Sequence, residues 1–128
     1  MRIFATKWFA RFARKEKIGD ERLCEAIDRA EQGAVDADLG GHLIKQRVAR
    51  TGGGRSGGYR TLIAYSASQR SVFLYGFAKN ERDNVDATEL ADLKILAKRF
   101  LSLTDGEIEI AMSKGELKKV TCDAKEKS

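Results

Sequence analysis

The sequence predicts an α+β fold: an antiparallel sheet of three to four strands, packed by an N-terminal helical pair and by C-terminal helices. Changes in hydrophobic period predict it. Apolar residues recur at helical spacing up to residue 33, alternate with a period of two from about residue 40, and return to helical spacing after residue 86. With 128 residues and a hydrophobic fraction of 42%, the chain can bury one core and is too apolar to be disordered.

The first third of the chain predicts a short strand and two amphipathic helices. Residues 1–5 fit the strand, and the helix behind it has an aromatic face that we expect to pack into the core. That face consists of Trp8, Phe9, Phe12 and Ala13. We expect Asp20 to be the N-cap of the second helix and Gly33 to mark its end.

The middle of the chain predicts an antiparallel meander of three strands. Residues 42–48 alternate, so Lys45 and Arg47 project from one face and Gln46 from the other. Residues 59–66 and 71–78 are apolar on both faces, as expected of strands that are buried on two sides. The glycines at residues 52, 54 and 57 match a dinucleotide fingerprint, but strands flank both sides, so we reject it and expect no cofactor.

Two capping boxes predict two helices in the last third of the chain. Asp86 and Glu89 form the first box, and Thr104 and Glu107 form the second. Gly115 is expected to end the second of these helices. Residues 117–120 fit either a short edge strand or an extended tail, and we expect residues 121–128 to be a disordered tail.

The cysteine and histidine content limits the possible chemistry. Cys24 and Cys122 are too few for a secreted disulfide framework, so we expect free thiols and a cytoplasmic location. Cys24 fits a small core residue, whereas Cys122 in the polar tail has no evident role. With one histidine, His42, and no Cys/His cluster, we expect no metal site, and we interpret His42 as a bystander.

Residues 40–80 contain seven basic side chains and no acidic ones, although the whole chain has a net charge of only +5. Such a one-signed block on a sheet predicts a polyanion ligand, with RNA as the leading candidate. Within and just after this block, five side chains are expected to converge at one end or face of the sheet: Lys45, Arg47, Arg60, Lys79 and Arg82.

Four further residues are candidates for RNA binding. Arg50 and Arg55 lie beside and within a glycine-rich loop that can follow a nucleic-acid backbone. Tyr59 and Tyr65 are possible base-stacking residues, with core packing as the alternative. Crowded lysines can act as bases and arginines can hold developing phosphate charge, so the basic cluster could also cleave RNA through its 2′-hydroxyl.

Three segments resemble the RelE/HigB-like toxins of bacterial type II toxin–antitoxin systems, within the RelE/ParE superfamily. They are Gly-Gly-x-x-Ile-Lys-Gln-Arg-Val-Ala at residues 40–49, Gly-Gly-Tyr-Arg at residues 57–60, and Tyr-Gly-Phe-Ala-Lys-Asn-Glu-Arg at residues 75–82. The resemblance extends over nearly the whole chain. It implies a single toxin domain at residues 1–120 with a microbial-ribonuclease-like sheet.

The resemblance implies an mRNA interferase, a ribosome-dependent endonuclease that cuts mRNA in the ribosomal A site and so inhibits translation. Arg60 then matches the arginine that stabilises the transition-state phosphate. Lys45 and Arg47 match paired basic positions, where a lysine acts as base, and Lys79 and Arg82 match a basic segment after the last central strand.

The same resemblance implies particular partners. A cognate antitoxin with a helix-turn-helix is expected from a neighbouring gene, and operator DNA is contacted only through the antitoxin complex. The other partners are the ribosome and mRNA, with no membrane. Two alternatives stay open: a ParE-like inhibitor of DNA gyrase, and a noncatalytic RNA- or ribosome-binding module.

Overall fold

The computed structural model describes residues 1–50, 58–82 and 84–122, which form a six-stranded sheet and four helices. No helix in these ranges is long and apolar enough to span a membrane. In chain order the elements are β1 (Arg2–Thr6), α1 (Lys7–Glu16), α2 (Asp20–Glu31), β2 (Ala37–Asp38), β3 (Leu43–Val48), β4 (Tyr59–Ser66), β5 (Arg70–Ala78), α3 (Ala87–Ser102), α4 (Asp105–Ser113) and β6 (Leu117–Lys119).

The sheet is larger than predicted, and it is mixed rather than antiparallel. Its strand order is β2-β3-β4-β5-β1-β6. The meander of β3, β4 and β5 is antiparallel as predicted, but β1 pairs parallel to β5. Parallel pairing joins segments far apart in sequence, so a local pattern does not reveal it. The two-residue β2 is too short to show a period, and β6 confirms the edge-strand alternative for residues 117–120.

Helices cover both faces of the sheet, which separates the interior into two packed layers. The buried residues of the layer on the α1 and α2 side include Phe9, Leu23, Ile27, Ile63 and Phe73. The buried residues of the layer on the α3 and α4 side include Phe4, Leu62, Leu93, Phe100 and Ile108. Because both layers pack on β4 and β5, these strands are buried on two sides, which confirms the prediction from their apolar sequences.

The predicted capping boxes are present at both C-terminal helices. The Asp86 side chain accepts from the Glu89 backbone N–H at 2.8 Å, and the Glu89 carboxylate accepts from the Asp86 N–H at 2.9 Å. Thr104 and Glu107 make the same reciprocal pair at the start of α4. Each box satisfies backbone donors that a helix start otherwise leaves without partners.

The end of the described chain lies against α2, and this contact corrects two predictions. Gly19 is the N-cap of α2, whereas Asp20 is its first residue and accepts from the Thr121 N–H at 3.0 Å. Cys24 is buried as predicted, but its sulfur is bonded to that of Cys122, so the prediction of free thiols is wrong. The two cysteines are 98 positions apart in sequence, and the pairing of β6 with β1 brings them together.

Residues 123–128, most of the tail predicted to be disordered, lie outside the described residues. Thr121 and Cys122 at the start of that tail make the contacts with α2 given above.

The aromatic face of α1 packs on β5 and continues around the edge of that strand. Phe9 is fully buried as predicted, but Trp8 remains 46% exposed. The Trp8 ring is stacked on Phe12, with centroids 5.6 Å apart, and its centroid lies 4.5 Å from that of Tyr75. A Cβ on Gly76 would come within 2.8 Å of the Phe12 ring, so the absence of a side chain there lets α1 approach the sheet.

Candidate active site

A cleft of about 350 Å³ opens at the end of β3 and is lined by residues of α2 and of the sheet. Its described lining contains six basic side chains, those of Arg22, Arg29, Arg47, Arg50, Arg60 and Lys79. Glu25 supplies the only carboxylate among these described lining residues. A concave site with charge of one sign concentrates its field and favours an anionic ligand.

Arg47 and Arg60 are brought together by strand register. They lie directly opposite each other on β3 and β4, and therefore project from the same face. Lys45 projects from that face two residues earlier on β3, although it is not among the residues that line the cleft. Among the described residues, no hydrogen bond or ion pair engages the side chain of Arg60 or Lys45.

Lys79 is held beside the cleft by a backbone contact at the base of the glycine-rich loop. Its N–H donates to the carbonyl of Gly58 at 3.0 Å, and Gly58 is two residues before Arg60 in the sequence. A Cβ on Gly58 would lie 2.9 Å from the Val48 carbonyl oxygen. Glycine at this position therefore allows the backbones on either side of the cleft mouth to approach each other.

The two arginines of α2 were not among the residues predicted from the sequence. Arg22 and Arg29 are seven positions apart, which places them on one side of the helix, next to its apolar stripe. Arg29 donates from Nη2 to the Arg47 carbonyl and lies 3.7 Å from an Asp36 oxygen. Arg22 pairs with Glu25 at 3.1 Å. The spacing of these two arginines beside a buried stripe was the signal that could have identified them.

Arg50 and Tyr59 meet at the cleft mouth. The Arg50 guanidinium lies 5.9 Å from the centroid of the Tyr59 ring. Burial raises the pKa of the Tyr59 hydroxyl, which donates to a Glu16 carboxylate oxygen at 3.1 Å. Tyr59 is only 3% exposed, so stacking on a base would require its ring to be uncovered. Arg55 lies outside the described residues.

Arg82 does not line the cleft and is instead anchored to Glu89 of α3. It donates to both oxygens of Glu89, at 2.6 and 3.2 Å, and to the Tyr75 hydroxyl at 3.3 Å. Its guanidinium also lies 5.4 Å from the centroid of the Phe77 ring. The hydrogen bond from Arg82 lowers the pKa of Glu89, and the same contact raises the pKa of Arg82.

Tyr65 lies at the opposite end of β4 from Arg60. They are five positions apart, which corresponds to roughly 16 Å along a strand. The Tyr65 hydroxyl donates to Glu31, and burial together with this bond raises its pKa to about 12. Its N–H donates to the carbonyl of His42, so the one histidine is also at this end. The structure therefore does not bring Tyr65 or His42 into the cleft.

The chemistry available at the cleft is that of cations. Within the described part of the chain, no group of three or more His, Cys, Asp or Glu side chains is arranged to hold a metal ion. Guanidinium groups can bind a phosphate through paired hydrogen bonds and can stabilise charge that develops on it. A lysine can exchange a proton with a hydroxyl.

Comparison with known proteins places this geometry in a family context. A family model described as "RelE toxin of RelE / RelB toxin-antitoxin system" matches residues 1–120, a range that contains all the described lining of the cleft. A search of curated proteins finds no match.

Proposed function

The chain belongs to the RelE toxin family of toxin–antitoxin systems, and from this premise we propose that it is a ribosome-dependent mRNA endonuclease that inhibits translation. The observation that carries the proposal is the cleft, whose described lining has six basic side chains and one carboxylate. A phosphodiester backbone is the ligand that such a charge distribution favours. The cleft also holds Arg60, whose side chain has no partner among the described residues.

We assign the roles from what cleavage through the 2′-hydroxyl requires. That hydroxyl must lose a proton, the phosphate must gain negative charge, and the 5′-oxygen must leave. In this proposal Arg60 and Arg47, side by side on one face, donate hydrogen bonds to the phosphate as its charge grows. Lys45 and Lys79 are the proposed proton-transfer groups: one takes the 2′-hydroxyl proton on its Nζ as that oxygen attacks phosphorus, and the other gives a proton to the 5′-oxygen as its bond to phosphorus breaks.

The need for a ribosome follows from what the cleft lacks. Among the described residues that line it there is no histidine, and its one carboxylate, Glu25, is paired with Arg22. Proton transfer by lysine alone is weak catalysis, so a partner that positions the mRNA would supply much of the rate. The ribosome, and hence a cytoplasmic location, belongs to the proposal for this reason.

The family implies an antitoxin partner. We further propose that this antitoxin has a helix-turn-helix, is encoded beside the toxin, and carries the complex to operator DNA. In that arrangement it would neutralise the basic cleft while it is bound. Purifying the chain together with the product of the adjacent gene tests the pairing.

The decisive experiment follows mRNA integrity in a purified translation reaction, with and without ribosomes. Wild type, Arg60→Gln and Arg99→Gln are compared, and cleavage sites are mapped at nucleotide resolution. Arg99 is a matched control because it is an arginine on α3, paired with Glu116 and outside the cleft. We expect cuts that need ribosomes, are retained in Arg99→Gln and disappear in Arg60→Gln.

Other outcomes would favour the alternative functions. Intact mRNA with blocked translation would indicate a noncatalytic ribosome-binding module. Intact mRNA with normal translation would contradict both the endonuclease and the ribosome-binding module. The activity of DNA gyrase would then be assayed. Loss of plasmid supercoiling in that assay would then support a ParE-like inhibitor.

A further inference from the structure

The cleft extends beyond the sheet onto α2, and this part has no role in the cleavage steps assigned above. Arg22 and Arg29 form its α2 side, while Arg47 and Arg60 form its sheet side. We propose that Arg22, positioned with Arg29, forms a second phosphate subsite that holds the RNA backbone next to the phosphate at Arg60. This inference rests on the proposed function, since it takes the ligand to be RNA.

Arg22 has donors that are not satisfied within the described residues. Its Nη1 donates to both Glu25 oxygens, at 3.1 and 3.2 Å. Its Nε is shielded from solvent and has no hydrogen-bond partner among the described residues. A shielded N–H without an acceptor is unfavourable, and a phosphate oxygen is a strong acceptor for it. The orphaned Nε shows that the fold does not use all the donors of Arg22, and a shift of this side chain, which is 32% exposed, would present its guanidinium to a phosphate in the cleft.

Arg29 joins the α2 side of the cleft to the sheet side. Its Nη2 donates to the Arg47 carbonyl, and its Nη1 lies 3.7 Å from Asp36. Asp36 is also 4.0 Å from Nε of Arg47. Because Arg29 is held at the end of β3, it fixes the position of α2 relative to the strand. We assign it a positioning role, with Arg22 as the residue that contacts phosphate.

The amount of charge favours a polymer over a small anion. The described lining of the cleft contains six cations. Two are on α2, one is on β3, one is on β4, and the other two are Arg50, two residues after β3, and Lys79, directly after β5. Even when Glu25 and Asp36 are counted against them, the positive charge exceeds what one phosphate can neutralise. An RNA strand presents successive phosphates, each of which can displace counterions on binding.

A binding experiment that does not depend on cleavage tests the subsite. The probe is a fluorescent 2′-O-methyl RNA oligonucleotide, which lacks the hydroxyl needed for cleavage, and its dissociation constant is measured by anisotropy at several salt concentrations. We expect Arg22→Gln to weaken binding about tenfold. The slope of log K against log salt should also fall by about 0.7, the contribution of one phosphate on a single strand.

Arg99→Gln is the matched control, because Arg99 is a helical arginine paired with a glutamate, as Arg22 is. It should bind like wild type. Melting curves of each variant identify any loss of folding, which we do not expect, since among the described residues Arg22 pairs only with Glu25 of its own helix. Arg22→Lys, which keeps the charge but not the guanidinium fork, should have intermediate affinity.

The phosphate could belong to mRNA or to ribosomal RNA, so cosedimentation with ribosomes is measured in parallel. Weaker oligonucleotide binding by Arg22→Gln assigns the subsite to the mRNA strand, and weaker ribosome binding alone assigns it to ribosomal RNA. Unchanged binding in both assays overturns the subsite, even if Arg60→Gln abolishes cleavage. Conversely, weaker binding by Arg22→Gln in a chain that cuts no mRNA supports the subsite and contradicts only the proposed reaction.

Discussion

Arg47 and Arg60 lie directly opposite each other on β3 and β4, so two guanidinium groups share one face of the sheet without a carboxylate between them. Like charges in directly opposed positions destabilise a sheet. Asp36 accepts a hydrogen bond from the Arg47 backbone N–H at 2.7 Å but lies 4.0 Å from the Arg47 guanidinium, and no described residue pairs with Arg60. The pair is better suited to an anion than to the stability of the strands.

Replacing Arg60 should therefore separate stability from activity. We expect Arg60→Gln to raise the free energy of unfolding by about 0.5 kcal/mol at low salt, because it removes the repulsion from Arg47. The gain should vanish in 1 M salt, where the Debye length is about 3 Å and exposed charges farther apart than this are screened. Urea unfolding at two salt concentrations measures it. A less stable variant at low salt would contradict this view of the pair.

The contact between Arg82 and Glu89 predicts a dependence of stability on acid. The folded protein lowers the pKa of Glu89 below its ordinary value of 4.5, first through Arg82 and then through the Asp86 N–H. The stabilisation is complete above pH 4.5 and is lost as the pH falls through the lowered value. Glu89→Gln keeps an acceptor for the capping box but removes the charge.

We expect Glu89→Gln to melt at a lower temperature than wild type at pH 7. The difference should shrink as the pH falls below 4.5, because the wild-type carboxylate then becomes protonated. Thermal melts followed by circular dichroism between pH 7 and pH 2 provide the measurement. A difference that stays constant over this range would rule out the ionised pair as its cause.

Tyr65 should be important for alkaline stability rather than for RNA cleavage. Burial and the bond to Glu31 raise its pKa to about 12, above the ordinary value of 10.0. The neutral hydroxyl thus stabilises the fold below pH 10, and this contribution is lost as the pH rises from 10 to 12. Between pH 10 and pH 12, Tyr65→Phe should therefore lose less stability than wild type, as measured by urea unfolding.

The same variant tests the RNA-binding role predicted for Tyr65 from the sequence. Its position at the far end of β4 from Arg60 leads us to expect unchanged cleavage of mRNA in the ribosome-dependent assay. A large loss of cleavage with normal stability would instead support a direct contact between Tyr65 and RNA.

Features encoded within a few residues were predictable from the sequence. The two capping boxes need only positions i and i+3, and they are present at Asp86 and Thr104. The glycine after α2 was equally local: Gly33 has a φ of +91°, which a side chain would disfavour. The proximity of Arg47 and Arg60 also followed, since consecutive antiparallel strands impose it.

Features that depend on distant segments were not predictable. The parallel partner of β1 lies some 70 residues along the chain, as the pairing of Arg2 with Arg70 shows. Arg22 joins the cleft only because α2 packs beside β3, a contact that no local pattern contains. The partner of Cys24 depends in the same way on where β6 carries the end of the chain.

The disulfide predicts that stability depends on redox conditions. The bond between Cys24 and Cys122 closes a loop with a sequence separation of 98 residues. Removing such a long constraint costs about 2–5 kcal/mol, mainly because the unfolded chain gains freedom. We expect Cys122→Ser to lose stability by this amount in urea and to become insensitive to dithiothreitol. Wild type treated with dithiothreitol should match the variant, whereas thiol labelling of unreduced, unfolded wild type would contradict the bond.

The close approach of α1 to β5 predicts a steric effect at Gly76. A Cβ there would lie 2.8 Å from Phe12 and 3.1 Å from Phe9, both closer than packed carbon atoms tolerate. The Phe12 ring cannot simply turn away, since it is stacked on Trp8 and meets the edge of Tyr59. We expect Gly76→Ala to destabilise the protein by about 1–3 kcal/mol, as overpacking of a core does.

Urea unfolding measures this effect, with the fluorescence of Trp8, the only tryptophan, as the probe. Gly106→Ala is the matched control, because it adds the same methyl group to a helix where the nearest atom is 3.9 Å away, and it should be neutral or stabilising. Adding Phe12→Leu to Gly76→Ala should recover part of the loss, since the smaller side chain leaves room for the new methyl group. If the losses of stability from Gly76→Ala and Phe12→Leu simply added, a clash between residue 76 and Phe12 would be ruled out as the cause.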